Sequence, residues 1–283
     1  MYANLKILCV LNCKFIVTEN ILKFNILVNI FLLKSFINSI KYTITGLKND
    51  DFSSFASMGQ RGYNKAKRER DDNMQLIFPI LPELLLPGDF AQFWGPDAEE
   101  IRGSQFSGQK MQELELRGCD VDQCVFSNCR FIQCRLESCR FCDVIFDSCD
   151  LSNLQLPNCS FRRTVFKNCK LSGSIFSEAV FRDTAFQHVV APYTNFLNSK
   201  WKNCLLQYSD FSEAFFAEAV FSSLSLEETR LTRSDFSRAK LDKADYRSCD
   251  IRDVRWELSQ LRGCVISYEQ AADLARAAGI LVQ

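Results

Sequence analysis

Cys124-Val-Phe126-Ser-Asn-Cys129-Arg-Phe131-Ile-Gln-Cys134-Arg-Leu136-Glu-Ser-Cys139-Arg-Phe141 returns to the same chemistry every five residues. Stepping outward by five in both directions keeps the pattern from Phe106 to Ile266. That gives 33 consecutive centres, none of them charged, with Phe at 15 and Leu at 10. Two residues before each centre, from Ser104 to Cys264, the side chain is small at 29 of 33 positions, as Cys, Ser, Ala, Thr or Val. Helices repeat every 3.6 residues and strands every two, so a period of five belongs to neither. It describes a solenoid, in which each layer touches only the layers above and below. The centre fills the axis, the small residue fits a crowded corner, and the other three positions face outward.

The rest of the composition narrows the class. The 283 residues carry 34 basic and 34 acidic side chains, a net charge of zero, so neither a polyanion binder nor an acidic tail is indicated. No signal peptide is evident. The N-terminal region is apolar, but its uncharged run from Phe24 to Leu33 is shorter than the roughly 20 residues a spanning helix needs.

Eleven of the 14 cysteines occupy the small inward position, where they read as buried filler interchangeable with Ser, Ala and Thr. So many thiols suit a reducing compartment, and a cytoplasmic location is expected. Cys139 and Cys142 have C-x-x-C spacing, yet the register turns one inward and the other outward, so no redox or metal pair is expected. His188 is the only histidine and has no nucleophile motif beside it. It precedes Val189-Val190-Ala191-Pro192, where a distorted corner is expected. No catalytic, cofactor or metal constellation emerges, and the chain reads as a non-enzyme.

Cys149-Asp-Leu151-Ser-Asn153, Ser209-Asp-Phe211-Ser-Glu213 and Ala244-Asp-Tyr246-Arg-Ser248 resemble the pentapeptide-repeat motif, and the resemblance covers residues 104–283. It implies an all-β solenoid: a right-handed quadrilateral β-helix with four repeats per coil, about eight coils, and a short C-terminal α-helix. Residues 267–283 carry Ser267 and Gln270 as a capping box, an apolar face of Ala271, Leu274, Ala275 and Ala278, and Gly279 as the stop. This tail resembles the C-terminal cap of the quinolone-resistance pentapeptide-repeat proteins. That likeness implies a homodimer through Leu274, Ala278, Ile280 and Val282.

With a coil of 20 residues, Val125, Ile145, Val165, Ala185 and Leu205 become one outward apolar ridge, a candidate interface awaiting a cover or a partner. A cover exists within 58–103. Residues 74–94 are apolar, are broken by Pro79, Pro82 and Pro87, and read as a strap that lies along this face or caps the first coil. Residues 59–72 are mixed in charge and read as disordered.

Residues 1–57 hold six Lys and no Arg, against 9 Lys and 19 Arg in 58–283. Their richness in Phe, Tyr, Met, Ile, Asn and Lys reads as translated non-coding sequence ahead of a start at Met58. The competing reading is an amphipathic membrane-associating segment over Leu22 to Lys41.

Two function classes follow. The first is a non-enzymatic module presenting a rigid surface to a protein partner, with no direct nucleic-acid or membrane contact. The second, which the resemblance adds, is a DNA mimic that protects DNA gyrase or another type II topoisomerase. Mimicry needs a phosphate-like array of negative charge. Residues 104–283 hold 22 basic and 23 acidic side chains, so the array would have to be a local stripe such as Asp210, Glu213, Glu218, Glu227 and Glu228.

Overall fold

The computed structural model describes residues 76–90, 100–241 and 243–282. The readings made for residues 1–57, for 59–72 and for the far end of the strap lie outside the described residues.

Every layer is built from the same rule: residue i lies beside residue i+20 in a parallel strand. Arg140–Asp147 pairs with Ser160–Lys167, which sets Phe141 beside Phe161 and Phe146 beside Phe166. The same register carries on through Val180–Gln187, Lys200–Gln207 and Val220–Glu227. Four repeats complete a coil, giving four faces. The first carries the centres Phe106 and Phe126, the second Met111 and Phe131, the third Leu116 and Leu136, and the fourth Val121 and Phe141.

The chain makes about seven turns of parallel β-solenoid, one fewer than expected. The shortfall is at the C-terminal end. Val220 bridges to Lys240, but the next residues that would extend this fourth face, Leu258–Leu261, wind into a 3-10 helix instead. The last centres, Trp256, Leu261 and Ile266, are accordingly only half-buried.

The centres fill the axis as the period demands. Phe106, Phe126, Phe146, Phe166 and Phe186 form one column, with ring centroids 5.0, 4.8, 5.0 and 4.8 Å apart and planes within 12°. Phe176, Phe196, Phe216 and Phe236 form a second. Burying such a ring is worth roughly 1.5–3 kcal/mol, and each ring in a column also gains the packing of its stacked neighbours.

The corners impose a second constraint. From Phe106 to Phe236 the residue two after each centre takes a left-handed backbone, with φ of 53° at Gln123, 54° at Asn128 and 58° at Asn153. For residues bearing a Cβ this costs about 1–2 kcal/mol. The ladder compensates, because the corner amides donate to carbonyls of the next coil, Gln123 to Cys142 and Asn128 to Asp147, both at 2.9 Å. Elsewhere the corner closes as a turn, with the Leu154 amide donating to the Leu151 carbonyl at 3.1 Å around left-handed Asn153, the arrangement of a type II turn. His188 obeys this rule too, at φ 52°. The expected distortion is absent, since Val189 and Ala191 are buried in their regular places.

Both ends are capped. At the start, Leu86–Pro87 adds a strand beside Ser104–Gln105, and the Phe90 ring packs 4.2 Å from Phe106 as a plug. Gln109 fixes the plug by accepting from the Phe90 amide at 3.0 Å and donating to the Gly88 carbonyl at 2.6 Å. At the other end, helix α1 spans Tyr268–Ala277. Ser267 caps it, with the expected reciprocal bonds to Gln270. It ends in a Schellman pair, where the Ile280 amide reaches the Ala275 carbonyl and Gly279 reaches Arg276. The Gln270 side chain also donates to the carbonyls of Tyr246 and Cys249, both at 2.8 Å, which ties α1 to the last coil. Gln260 repeats the device on Phe236 and Ala239. Among the described residues no helix is long and apolar enough to cross a membrane.

A candidate interaction surface

The inward small position is more than filler. Its side chain donates to the carbonyl of the centre 23 residues earlier: Cys129 to Phe106, Cys149 to Phe126, Ser174 to Leu151, Thr194 to Leu171 and Thr229 to Leu206. Cys, Ser and Thr share this site because all three carry a hydrogen to donate. Burial raises the thiol of Cys119 to about 12 and that of Cys204 to about 12, which keeps both protonated and unreactive. Cys264 departs from the expected set in being half-buried, as is Cys142.

Cys139 and Cys142 do not converge: Cys139 is in the core, while Cys142 lies beside Asp122 and Asp143 on the corner. These two carboxylates and the thiol could in principle hold a cation, but Arg163 already occupies the place. Its guanidinium forms a two-pronged pair with Asp143 and donates to the Cys142 sulfur at 3.2 Å. Burial pushes the Asp143 carboxyl up, but the Arg163 bonds and the Ile80 amide outweigh it and hold it below the ordinary value.

The apolar ridge is in register, but it is not a free interface. Val125, Ala185 and Leu205 are fully enclosed, Val165 is 8% exposed and Ile145 is half-buried. Leu76 and Phe78 of the strap pack on Ile145, Val165, Ala185 and Leu205. The Ile80 amide donates to Asp143 at 2.8 Å, and the Ile80 carbonyl accepts from Gln123 at 3.3 Å. The strap therefore does both things foreseen for it, lying along the first face and closing the first coil. As sites for an outside partner, Val125, Ile145, Val165 and Leu205 are corrected: the chain's own strap takes that surface, because extended backbone with inward apolar residues matches the ridge.

At the far end, Leu274 and Val282 are half-buried, Ala278 is exposed, Ile280 is 58% exposed and Leu281 is 88% exposed. No residue of α1 is buried, so its apolar face is not consumed within the chain.

The outward charges follow the ladder. Asp210 meets Arg230 at 3.1 Å, Glu213 meets Arg233 at 2.6 Å and Glu218 meets Arg238 at 2.8 Å, each pair one coil apart. Glu227 accepts from Gln207 at 2.7 Å and from Tyr208 at 2.8 Å. Four of the five carboxylates considered as a stripe are thus engaged by donors. Sequence reading missed this, although the signal was present as acid and base 20 residues apart. His188 stacks on Tyr208 at 5.2 Å on one corner.

A capped parallel β-solenoid with a filled axis and laterally paired surface charge defines a repeat scaffold. Residues 139–216 match the family described as pentapeptide repeat region, and residues 202–238 and 221–255 match pentapeptide repeats in eight copies. These matches together span residues 139–255 and support the pentapeptide-repeat family for the solenoid. Solved structures similar to it include HetL, a pentapeptide repeat protein involved in heterocyst differentiation regulation from the cyanobacterium Nostoc sp. strain PCC 7120. It is 14% identical, over 59% of this chain and 87% of that one, with a TM-score of 0.35. Full-length QnrB1, a plasmid-mediated fluoroquinolone resistance protein, is 20% identical over 65% of this chain and 98% of its own, with a TM-score of 0.34. No curated protein matches the chain.

Proposed function

We propose that the protein is a non-enzymatic scaffold whose solenoid offers a rigid surface to a protein partner in the cytoplasm. The observation that carries this reading is the division of labour within each repeat. Two positions are committed to the axis, and the outward ones are held in fixed rows by the ladder. Such a surface is pre-organised, so little ordering entropy is lost on binding. The exposed apolar end made by Ala278, Ile280 and Leu281, with Leu274 and Val282, supports self-association into a homodimer. Topoisomerase mimicry is the weaker reading, because donors already engage most of the carboxylates it would need.

The test places a photo-crosslinker on the solenoid at Val190 or Lys200 in the native cell. A distinct protein adduct, lost when Phe146→Asp disrupts the core, is expected; identical adducts from both forms would overturn the reading. Purified protein is also expected to leave drug-inhibited gyrase supercoiling unrelieved. Salt-sensitive relief would favour mimicry instead.

A further inference from the structure

One stretch of the fourth face departs from the pairing rule. On the fourth face, Arg162 lies beside Arg182, and Arg182 beside Lys202, in three successive rungs. Lys200 stands two residues away on the same strand as Lys202. All four are exposed, and among the described residues none makes an ion pair or side-chain hydrogen bond. Like charges directly opposite one another on neighbouring strands repel, and here the rungs hold them roughly 4.8 Å apart. The first coils of the same face do pair an acid with a base across this spacing, Arg102 with Asp122 and Asp120 with Arg140, as Asp235 and Arg255 do on the third face.

The neighbouring carboxylates do not answer the stripe. Asp143 and Asp183 belong to the corner column, are buried, and are bonded to Arg163 and Asn203. On the opposite edge Glu218 is paired with Arg238, which leaves Glu178. Over the rungs from Arg162 to Lys202, with Glu178 at their edge, the exposed charge on the strands of the face is therefore positive and arranged along the long axis.

We propose that Arg162, Arg182, Lys200 and Lys202 form a docking stripe for an acidic, extended peptide segment of a protein partner. The inference rests on the reading of the solenoid as a protein-binding surface and names the chemistry of the partner. A peptide fits better than a single-stranded nucleic acid. The aromatic rings of this face, Phe161, Phe181 and Trp201, are buried in the axis, so nothing is available for bases to stack upon. Val180, 41% exposed beside Lys200, adds an apolar contact.

The experiment measures binding of a labelled oligoglutamate peptide to the full chain by fluorescence anisotropy. Binding is expected to weaken on the order of tenfold in the triple variant Arg162→Glu, Arg182→Glu, Lys202→Glu, and to fall as salt rises. The milder set Arg162→Gln, Arg182→Gln, Lys202→Gln, checked for an unchanged circular-dichroism melt, is expected to weaken it less but measurably. A control with the same charge change on the second and third faces, Lys110→Glu, Lys170→Glu, Arg117→Glu, is expected to retain binding. Absence of peptide binding, equal loss in stripe and control variants, or tighter binding of a DNA duplex through the same residues would each overturn the stripe. None of these outcomes touches the crosslinking test, so the scaffold reading fails or stands separately.

Discussion

A methyl group at position 88 has nowhere to go. A Cβ there would lie 2.3 Å from Cε1 of Phe106, whose ring is held between Phe90 at 4.2 Å and Phe126 at 5.0 Å. Gly88→Ala is therefore expected to lift the N-terminal plug and cost about 1–3 kcal/mol, read as a lower melting temperature; an unchanged melt would contradict the plug. The inward donors make a second residue-level prediction. Ser174 is fully buried and its hydroxyl donates to the Leu151 carbonyl at 2.7 Å. Ser174→Ala should then destabilise by about 1 kcal/mol, while Ser174→Cys should recover part of it. At this scale the sequence showed which side chains face inward but not what they do there. Small size and donor capacity coincide in Cys, Ser and Thr, so composition alone reads as filler. The left-handed corners were not foreseen: Gly118, Asn128, Asn153 and Gly173 suit that conformation, but at Glu113 and Arg163 it leaves no trace in residue type.

The strap and α1 are the two elements added to the repeat, and each carries a test. The strap is latched to Asp143, whose carboxyl is held below the ordinary value near 3.8. A group with a depressed folded value contributes stability above its unfolded value and loses it as pH falls through the folded one. Thermal stability should therefore decline as pH drops below about 4, with a shallower decline in Asp143→Asn. At neutral pH that variant should already lose about 3 kcal/mol, since it strands the largely buried Arg163 guanidinium. For α1, Leu274→Asp with Ile280→Asp should yield a monomer with an intact solenoid by sedimentation and circular dichroism; a parent chain that already sediments as a monomer would remove the dimer. The strap could be anticipated because prolines and apolar residues exclude a long helix. The 3-10 turn at Leu258–Leu261 was missed, although Glu257 and Gln260 stand at capping-box spacing, because the five-residue pattern runs straight through it.

At the scale of the whole molecule, what was legible was the arithmetic. The period of five set the interior, and the coil of four repeats that the family resemblance implies set the faces, which together put the ridge of Val125 to Leu205 in register. What covers that ridge, and which charges neutralise which, depends on chain segments and long side chains that no period encodes. The pairing of residue i with residue i+20 also has a consequence for how such a chain can change in length. Removing any five consecutive residues preserves the interior alternation but turns everything downstream by a quarter of a revolution. Deleting residues 188–192 should leave a cooperative melt, yet carry Lys200 and Lys202 around the corner, away from Arg162 and Arg182. Deleting four residues instead should put charged side chains on the axis and abolish folding, which circular dichroism would show directly. The interior thus keeps time in fives and the exterior in twenties, and an insertion or deletion can be silent to one clock while rewriting the other.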